Sequence, residues 1–460
     1  MTEVQEKLPI VSPSREDNRE HASVCIIGAG PSGMVAVKAL KDQGVAFDCF
    51  EKGSDIGGIW RFNNDNGMSS AYRTLHINSS KWNMQFADFP MPEDFPDFGH
   101  HSDVLRYFEA YVAEFDLRKH ITFNTEVKDV KPIDDGAWAV TLSSGETRVY
   151  QAVLVANGHH WNPRLPSFPG DFNGKEMHSH YYKVPEDFEG KNVLIVGIGN
   201  SSCDIAIDLC RIAENVYIST RRSAHVIPKY LFGKPADLWA TPAMDAYTPL
   251  WVKRLFIKAL VYLTVGNQEK YGLPRPDHKI LSEHPTVSEE LLSYIGHGRV
   301  KIKPDIKQLS GGEVEFVDDS RAAIDTIIYA TGYQITFPFM DSEMLGLKDN
   351  RISLYRNVVH PGLPNLYFIG LLQPLGAIMP LAEMQSKWIA KVFSGECGLP
   401  SKEAMTDEIR KYHKNMKKRY VTSHRHTIQV DFWDYFYQIK REMQAGKRRP
   451  KKHQLTGKTA

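Results

Sequence analysis

Two passages of one kind, an apolar strand-like run, a glycine turn and a helix start, predict an α/β protein with two Rossmann-like dinucleotide-binding domains. They are "SVCIIGAGPSG" at 23–33 and "NVLIVGIGNSSCD" at 192–204. A third observation, that both units close on the same kind of buried strand, predicts that the second domain is inserted into a discontinuous first one.

In the first passage "SVCIIG" leads into Gly28, Gly30 and Gly33, with Ala29, Pro31 and Ser32 completing the turn. "MVAVKALKDQG" then has helical spacing and Gly44 as a stop. That context separates a dinucleotide fingerprint from a chance GxGxxG. The first glycine permits the tight turn, the second lets backbone approach a diphosphate, and the third lets helix and strand pack closely. The diphosphate then meets free N–H groups at the helix N-terminus. The next strand, "VAFDCFEK", ends in Glu51 and Lys52 about 20 residues on, where a carboxylate accepts from ribose hydroxyls.

The second copy has Gly197 and Gly199, then Asn200, Ser201, and Ser202 where a third glycine would stand. Serine is small enough for close packing. The position matching Glu51 is Thr220, followed by Arg221 and Arg222. A carboxylate would repel a ribose 2′-phosphate, whereas a guanidinium pairs with it. Different ribose chemistry at the two turns predicts FAD at the first and NADPH at the second; an exposed basic pair at a strand end is the structural alternative for the arginines.

"AVLVANG" (152–158) closes the first unit and "AIDTIIYATGY" (323–333) the second. Residues 359–400 add a strand, a Gly/Pro loop and a long amphipathic helix without a nucleotide turn of their own. The expected organisation is a flexible N-terminal tail at 1–20, FAD domain at 21–165, NADPH domain at 166–329, FAD domain again at 330–445 and a basic tail at 446–460.

With 460 residues, 42% hydrophobic and 24% charged, the chain is long enough for two or three cores. Lys plus Arg number 56 against 55 acids, so charge gives no case for nucleic acid. Five cysteines in no metal or CxxC spacing predict free thiols and no metal site. No signal peptide or transmembrane run is recognisable, and the expectation is cytoplasmic. "WVKRLFIKALVYLTVG" (251–266) reads as a helix packed on its own domain, with peripheral membrane contact as the other reading; its apolar faces also suit a homodimer.

Phe172, Gly174, His178, Tyr182 and Lys183 form the pattern FxGxxxHxxxYK. It resembles the fingerprint of the flavin-containing monooxygenases, bacterial and eukaryotic members alike; the related Baeyer–Villiger enzymes usually end it in Trp-Pro. "FEKGSDIGGIWRF", "NSSKWNMQFADFP", "YATGY", "LLQPLGAIMP" and "SHRHTIQVD" resemble family segments in family order, over about residues 23 to 435.

The resemblance implies an NADPH- and dioxygen-dependent enzyme that forms a carbon-4a hydroperoxyflavin and oxygenates soft nitrogen or sulfur nucleophiles as small-molecule substrates. Baeyer–Villiger oxidation of ketones is the alternative within enzymes, and a non-catalytic or redox-sensing flavoprotein the alternative outside them. By the same resemblance Asn78, between Ile77 and Ser79, stands near flavin and nicotinamide. Its amide offers donor and acceptor without titrating, although a turn or helix cap would also suit it. Gly58, Ile59 and Trp60 resemble the FAD-contacting stretch and Gln373 a flavin-side hydrogen-bonding residue. Ser201, Ser202, Cys203 and Asp204 match NADP-contacting positions; Asp204 equally suits a first helical turn. His178 and Tyr182 are expected to position the linker, and core packing serves Phe172 and Tyr182 as well.

Overall fold

Val24–Ile27 forms a strand buried at all four positions, because parallel neighbours flank it on both sides: Phe47–Phe50 and Ala152–Val155. Ile121–Thr122 extends one edge and Leu366–Phe368 the other, giving a five-stranded parallel sheet. The computed structural model describes residues 23–421 and 427–451. The terminal segment 1–20 and most of the basic tail lie outside these.

A parallel sheet needs cover on both faces. Successive side chains of a strand point to opposite faces, and the chain uses both. Val24 and Ile26 pack with the helices Pro31–Asp42 and Met379–Phe393. Cys25 and Ile27 pack with the antiparallel strands Val127–Pro132, Trp138–Leu142 and Thr147–Tyr150.

The second sheet repeats this plan. Its order is Lys175–His178, Thr326–Tyr329, Asn192–Val196, Asn215–Ser219, Val300–Lys303, all parallel. Val193 and Ile195 pack with the helices Asn200–Leu209 and Leu291–Gly296. Leu194 and Val196 pack with a small sheet that includes Ile306–Gly311 and Glu313–Phe316. The chain leaves the first sheet after Ala152–Val155, builds the second, and returns at Leu366–Phe368. The outgoing segment Asn162–Pro163 pairs antiparallel with the returning Tyr333–Gln334. The fold is therefore two Rossmann-like units, the second inserted in the first.

Segment 226–285 of the second unit carries a hairpin, Tyr230–Leu231 with Lys234–Pro235, and the helix Leu250–Val265. That helix packs inward through Ile257, Leu260 and Val261, while Lys253 pairs with Asp245 and Arg254 donates to the Ile280 carbonyl. Trp251, Leu255, Tyr262 and Leu263 face outward, 58–71% exposed. It both packs on its own unit and leaves an apolar stripe in solvent. Among the described residues no helix is long and apolar enough to cross a membrane. All five cysteines are free and buried.

Candidate active site: a cleft between two glycine turns

Each glycine turn is pressed against the strand that closes its unit. Gly28 has φ +101° and Gly197 φ +112°. A Cβ on Gly28 would lie 2.9 Å from the Ala156 carbonyl oxygen, and one on Gly197 2.7 Å from that of Ala330. Side chains are excluded twice over, by conformation and by space. The third position differs between the copies. A Cβ on Gly33 would stand 1.8 Å from the Gly28 carbonyl oxygen. At the second turn Ser202 fits because its hydroxyl donates to the Gly197 carbonyl at 2.7 Å.

Gly30 is unlike both neighbours. Its φ is −68°, and an added Cβ would come no closer than 3.6 Å to its surroundings, at Gly58 Cα. Nothing within the protein requires glycine there, so the space it leaves suits a ligand that lies against the backbone. The Gly57–Gly58 turn, with φ +109° and +55°, packs beside it, the Gly57 N–H donating to the Ala29 carbonyl at 3.2 Å.

Both turns open on one cleft of about 1050 Å³. The structure brings Gly28, Gly30, Pro31, Ser32, Glu51, Lys52, Gly58, Ile59 and Trp60 to its first half. Gly197, Gly199, Asn200, Ser201, Thr220, Arg221 and Arg222 line the other half, and Ile77, Asn78, Ser79 and Gln373 also face it.

Glu51 is buried and partly committed. Its carboxylate accepts from the Ala29 N–H at 2.7 Å, the Gly53 N–H at 2.8 Å and the Asn66 amide at 3.1 Å. A carboxylate has about four acceptor sites, so it keeps capacity for a hydroxyl donor. Asn78 Oδ1 is buried without a hydrogen-bond partner among the described residues. The capping alternative for Asn78 fails, because Ser80 is the residue preceding the Lys81–Met84 helix and Asn78 makes no cap bond. The buried His159 Nε2 in the same cleft also lacks a partner, and burial pushes its ring well below the usual histidine range, leaving it neutral. Gly30, Asn78 and His159 together fit a flat, polar group placed between the two turns.

The arginines part company. Arg222 is tethered by Asp277 at 3.4 Å and Glu283 at 3.8 Å. Arg221 is exposed, lines the cleft and makes no ion pair among the described residues. Thr220 turns its hydroxyl to the Ser223 N–H at 2.9 Å, and Asn200 accepts from the Val287 N–H at 2.8 Å.

Five expected site residues do not line the cleft. Ala29 and Gly33 lie behind the first turn, buried. Ser202, Cys203 and Asp204 are a correction to the expectation: the helix rotates about 100° per residue, so Ser202 and Cys203 turn inward after Asn200 and Ser201, while Asp204, one turn on from Asn200, is taken up by Tyr72. Cys203 is wholly buried, and Asp204 accepts from the Tyr72 hydroxyl at 2.6 Å, its carboxyl pushed up to about 6 by burial. The YK end of the fingerprint has a similar role. Tyr182 donates to Asp208 at 2.6 Å, and Lys183 donates to the Ser69 and Ala71 carbonyls at 2.8 and 3.0 Å, joining the units. His178 is buried against the Gly332 carbonyl at 3.0 Å, and burial lowers its pKa to about 4. Asn66, His159 and Gly370 also line the cleft and were not among the residues expected from the sequence. Of these only Gly370, at the glycine turn after an apolar strand, had a readable pattern.

Two nucleotide-type turns of different ribose chemistry facing one cleft define a two-nucleotide flavoprotein oxidoreductase. The chain belongs to the flavin-binding monooxygenase-like family, whose profile matches residues 21–451. It is 42% identical over 433 residues to human (Homo sapiens) flavin-containing monooxygenase 5, covering 89% of this chain and 80% of that protein. To the rabbit (Oryctolagus cuniculus) dimethylaniline monooxygenase (N-oxide-forming) 2 it is 39% identical over 442 residues, covering 92% and 82%. Among solved structures, S-allyl-L-cysteine S-oxygenase from Allium sativum superposes with TM-score 0.69 at 28% identity over 92% of this chain and 88% of that one. Oxidized steroid monooxygenase bound to NADP, at 19% identity, TM-score 0.67 and coverages of 93% and 98%, shares the fold. The chain is a flavin-dependent monooxygenase.

Proposed function

We propose that the enzyme oxygenates soft nitrogen or sulfur nucleophiles, with FAD on the first turn and NADPH on the second. The carrying observation is the single cleft that both turns share, with Asn78 facing it. Supporting it, the relatives are named for N-oxide formation and S-oxygenation, whereas the ketone-oxidising neighbours at 16–18% identity share the fold alone.

The assignments follow from the residues. Residues 21–165 and 330–445 are the FAD domain and 166–329 the NADPH domain. The Gly28–Ser32 turn and the N-terminus of Pro31–Asp42 receive the FAD diphosphate, and Glu51 its ribose. Gly58, Ile59 and Trp60 extend the same wall of the cleft beside that turn. Gly197, Gly199, Asn200 and Ser201 receive the NADPH diphosphate, and Arg221 its 2′-phosphate. When bound, FAD accepts reducing equivalents and activates dioxygen. Asn78 offers a hydrogen bond there and no proton, and Gln373 adds a second amide. The buried His159, held neutral, adds no acidic proton to the cleft.

Rapid mixing of NADPH-reduced enzyme with oxygenated buffer tests this. A near-ultraviolet flavin absorbance that persists until a tertiary amine or thioether is added is expected. Immediate return to oxidised flavin, or lactone from a cyclic ketone as the sole product, would overturn it.

The outward stripe of Leu250–Val265 is proposed as a surface that is covered in use. Vesicle co-sedimentation and sedimentation velocity distinguish a membrane from a second copy. Neither partner in both assays would overturn this.

A further inference from the structure

The loop that carries Asn78 belongs to the first unit, yet its backbone is held by the second. On one side of Asn78 the Ile77 carbonyl accepts from Lys229 Nζ at 3.3 Å. On the other, the buried Ser80 N–H donates to Asp237 Oδ2 at 2.7 Å. Asn83 donates to the Asp237 carbonyl at 3.3 Å, and Tyr230 to Asp97 at 2.9 Å. The first unit supplies the outer anchors: the Ile77 N–H donates to Gly99 and the Lys81 N–H to Asp97. The two peptide groups that bracket Asn78 and Ser79 therefore look to the other unit for their partners.

Lys229 and Asp237 are presented together by a tight hairpin. The turn between Tyr230–Leu231 and Lys234–Pro235 is Phe232-Gly233, both with positive φ, +52° and +73°. That is the two-residue geometry matching strand twist, and Phe232 adopts it although it is bulky and exposed. The Ala236 N–H closes the base on the Lys229 carbonyl at 2.8 Å, and Glu289 accepts from the Lys229 N–H at 2.8 Å.

We infer that this hairpin is a clamp that positions Asn78: Lys229 and Asp237 fix the loop, so docking of the nucleotide unit sets how the Asn78 amide is presented to the cleft. Lys229 and Asp237 are positioning residues and touch no reacting atom. The inference rests on the monooxygenase reading of the cleft for its consequence, but not for its geometry. An unclamped loop would let Asn78 wander and let oxygen leave as hydrogen peroxide.

The test uses the FAD-loaded enzyme and two readouts, hydrogen exchange of the peptide spanning 77–84 and hydrogen peroxide released per NADPH consumed. In Asp237→Ala, exchange should speed about tenfold or more, because a buried N–H has lost its acceptor. Peroxide release should rise several-fold, with the NADPH KM within about twofold of wild type. Asp237→Asn keeps an oxygen for the Ser80 N–H and should restore both readouts, while Lys229→Met should fall between. Unchanged exchange in Asp237→Ala, or equal damage in Asp237→Asn, overturns the clamp. If Asp237→Ala does not fold, wild-type values for Lys229→Met do the same. Wild-type enzyme that releases all its oxygen as peroxide even with an amine or thioether would defeat the monooxygenase reading, and the exchange readout would still decide the clamp.

Discussion

Gly30→Ala and Gly33→Ala should separate cofactor binding from folding, although the two residues sit three apart in one motif. At Gly30 the backbone is already one that alanine adopts, and the added Cβ has 3.6 Å of clearance. The reduced entropy of the unfolded chain on removing a glycine, about 0.4–1 kcal/mol, offsets the roughly 0.5–1 kcal/mol that Gly→Ala loses at a helix N-cap, so apoprotein stability should move by less than about 1 kcal/mol. The methyl would nevertheless occupy the place where the diphosphate meets backbone N–H groups. Losing one charge-assisted hydrogen bond at about 1.5–3 kcal/mol weakens FAD by roughly 10- to 150-fold. At Gly33 the Cβ would lie 1.8 Å from the Gly28 carbonyl oxygen, so helix and strand must separate. Overpacking of this kind costs about 1–3 kcal/mol or more before any cofactor is considered. Urea unfolding of apoprotein and fluorescence titration with FAD measure the two quantities apart, which matters because bound FAD itself adds stability. The reasoning is refuted if Gly30→Ala unfolds as readily as Gly33→Ala, or binds FAD as wild type does.

Arg221→Ala should raise the NADPH KM about 10- to 100-fold while leaving the NADH KM within about twofold, and Arg222→Ala should do less because acids already hold Arg222; steady-state kinetics with both cofactors would show equal effects if this is wrong. Asn78→Leu should raise hydrogen peroxide released per NADPH about tenfold, the weight of about 1.4 kcal/mol, and unchanged coupling would remove Asn78 from the chemistry. Stability should fall as pH drops through the window from 6.5 to 4. His178 and His101, each lowered to about 4 by burial, are neutral in the fold while the unfolded chain takes up protons there. Each contributes at most about 3 kcal/mol. Asp204, raised to about 6, acts with the opposite sign, since its charged form is penalised as pH rises from 3.8. Urea midpoints at pH 4.5 and 7 should therefore differ less in His178→Gln and more in Asp204→Asn; midpoints that do not change with pH in wild type would contradict the assignment.

What could be read from the chain was what short-range pattern carries. The run from Val24 to Gly33 places a strand, a turn and a helix within a dozen residues, and its chemistry is local. Glu51 and Arg221 were legible because a parallel neighbour strand brings its end beside the turn in this topology. Ser202 and Cys203 were misplaced because motif position fixes distance along a helix, whereas the face is fixed by packing, and Asp204 was misplaced because its partner, Tyr72, lies 132 residues earlier. The pattern 202, 205, 206, 209 on that helix is an inward stripe that could have been noticed. Lys229 and Asp237 could not be found, since their partners lie about 150 residues earlier and a carbonyl or an N–H leaves no trace in the sequence. Neither could the second role of Glu51, which organises Ala29 and Gly53 before any ribose arrives.

The pairing of Asn162–Pro163 with Tyr333–Gln334 has an engineering consequence. Both strands that carry the chain between the units run side by side, tied further by the Arg164 N–H to the Gly332 carbonyl at 3.0 Å. Paired antiparallel strands stand about 5 Å apart, so the inserted unit begins and ends at nearly the same point in space. Those two points are the natural junctions for exchanging it as a cassette. A pyridine-nucleotide unit with another ribose preference could be grafted there without rerouting the flavin unit, provided the graft brings its own grip on the loop at 77–83.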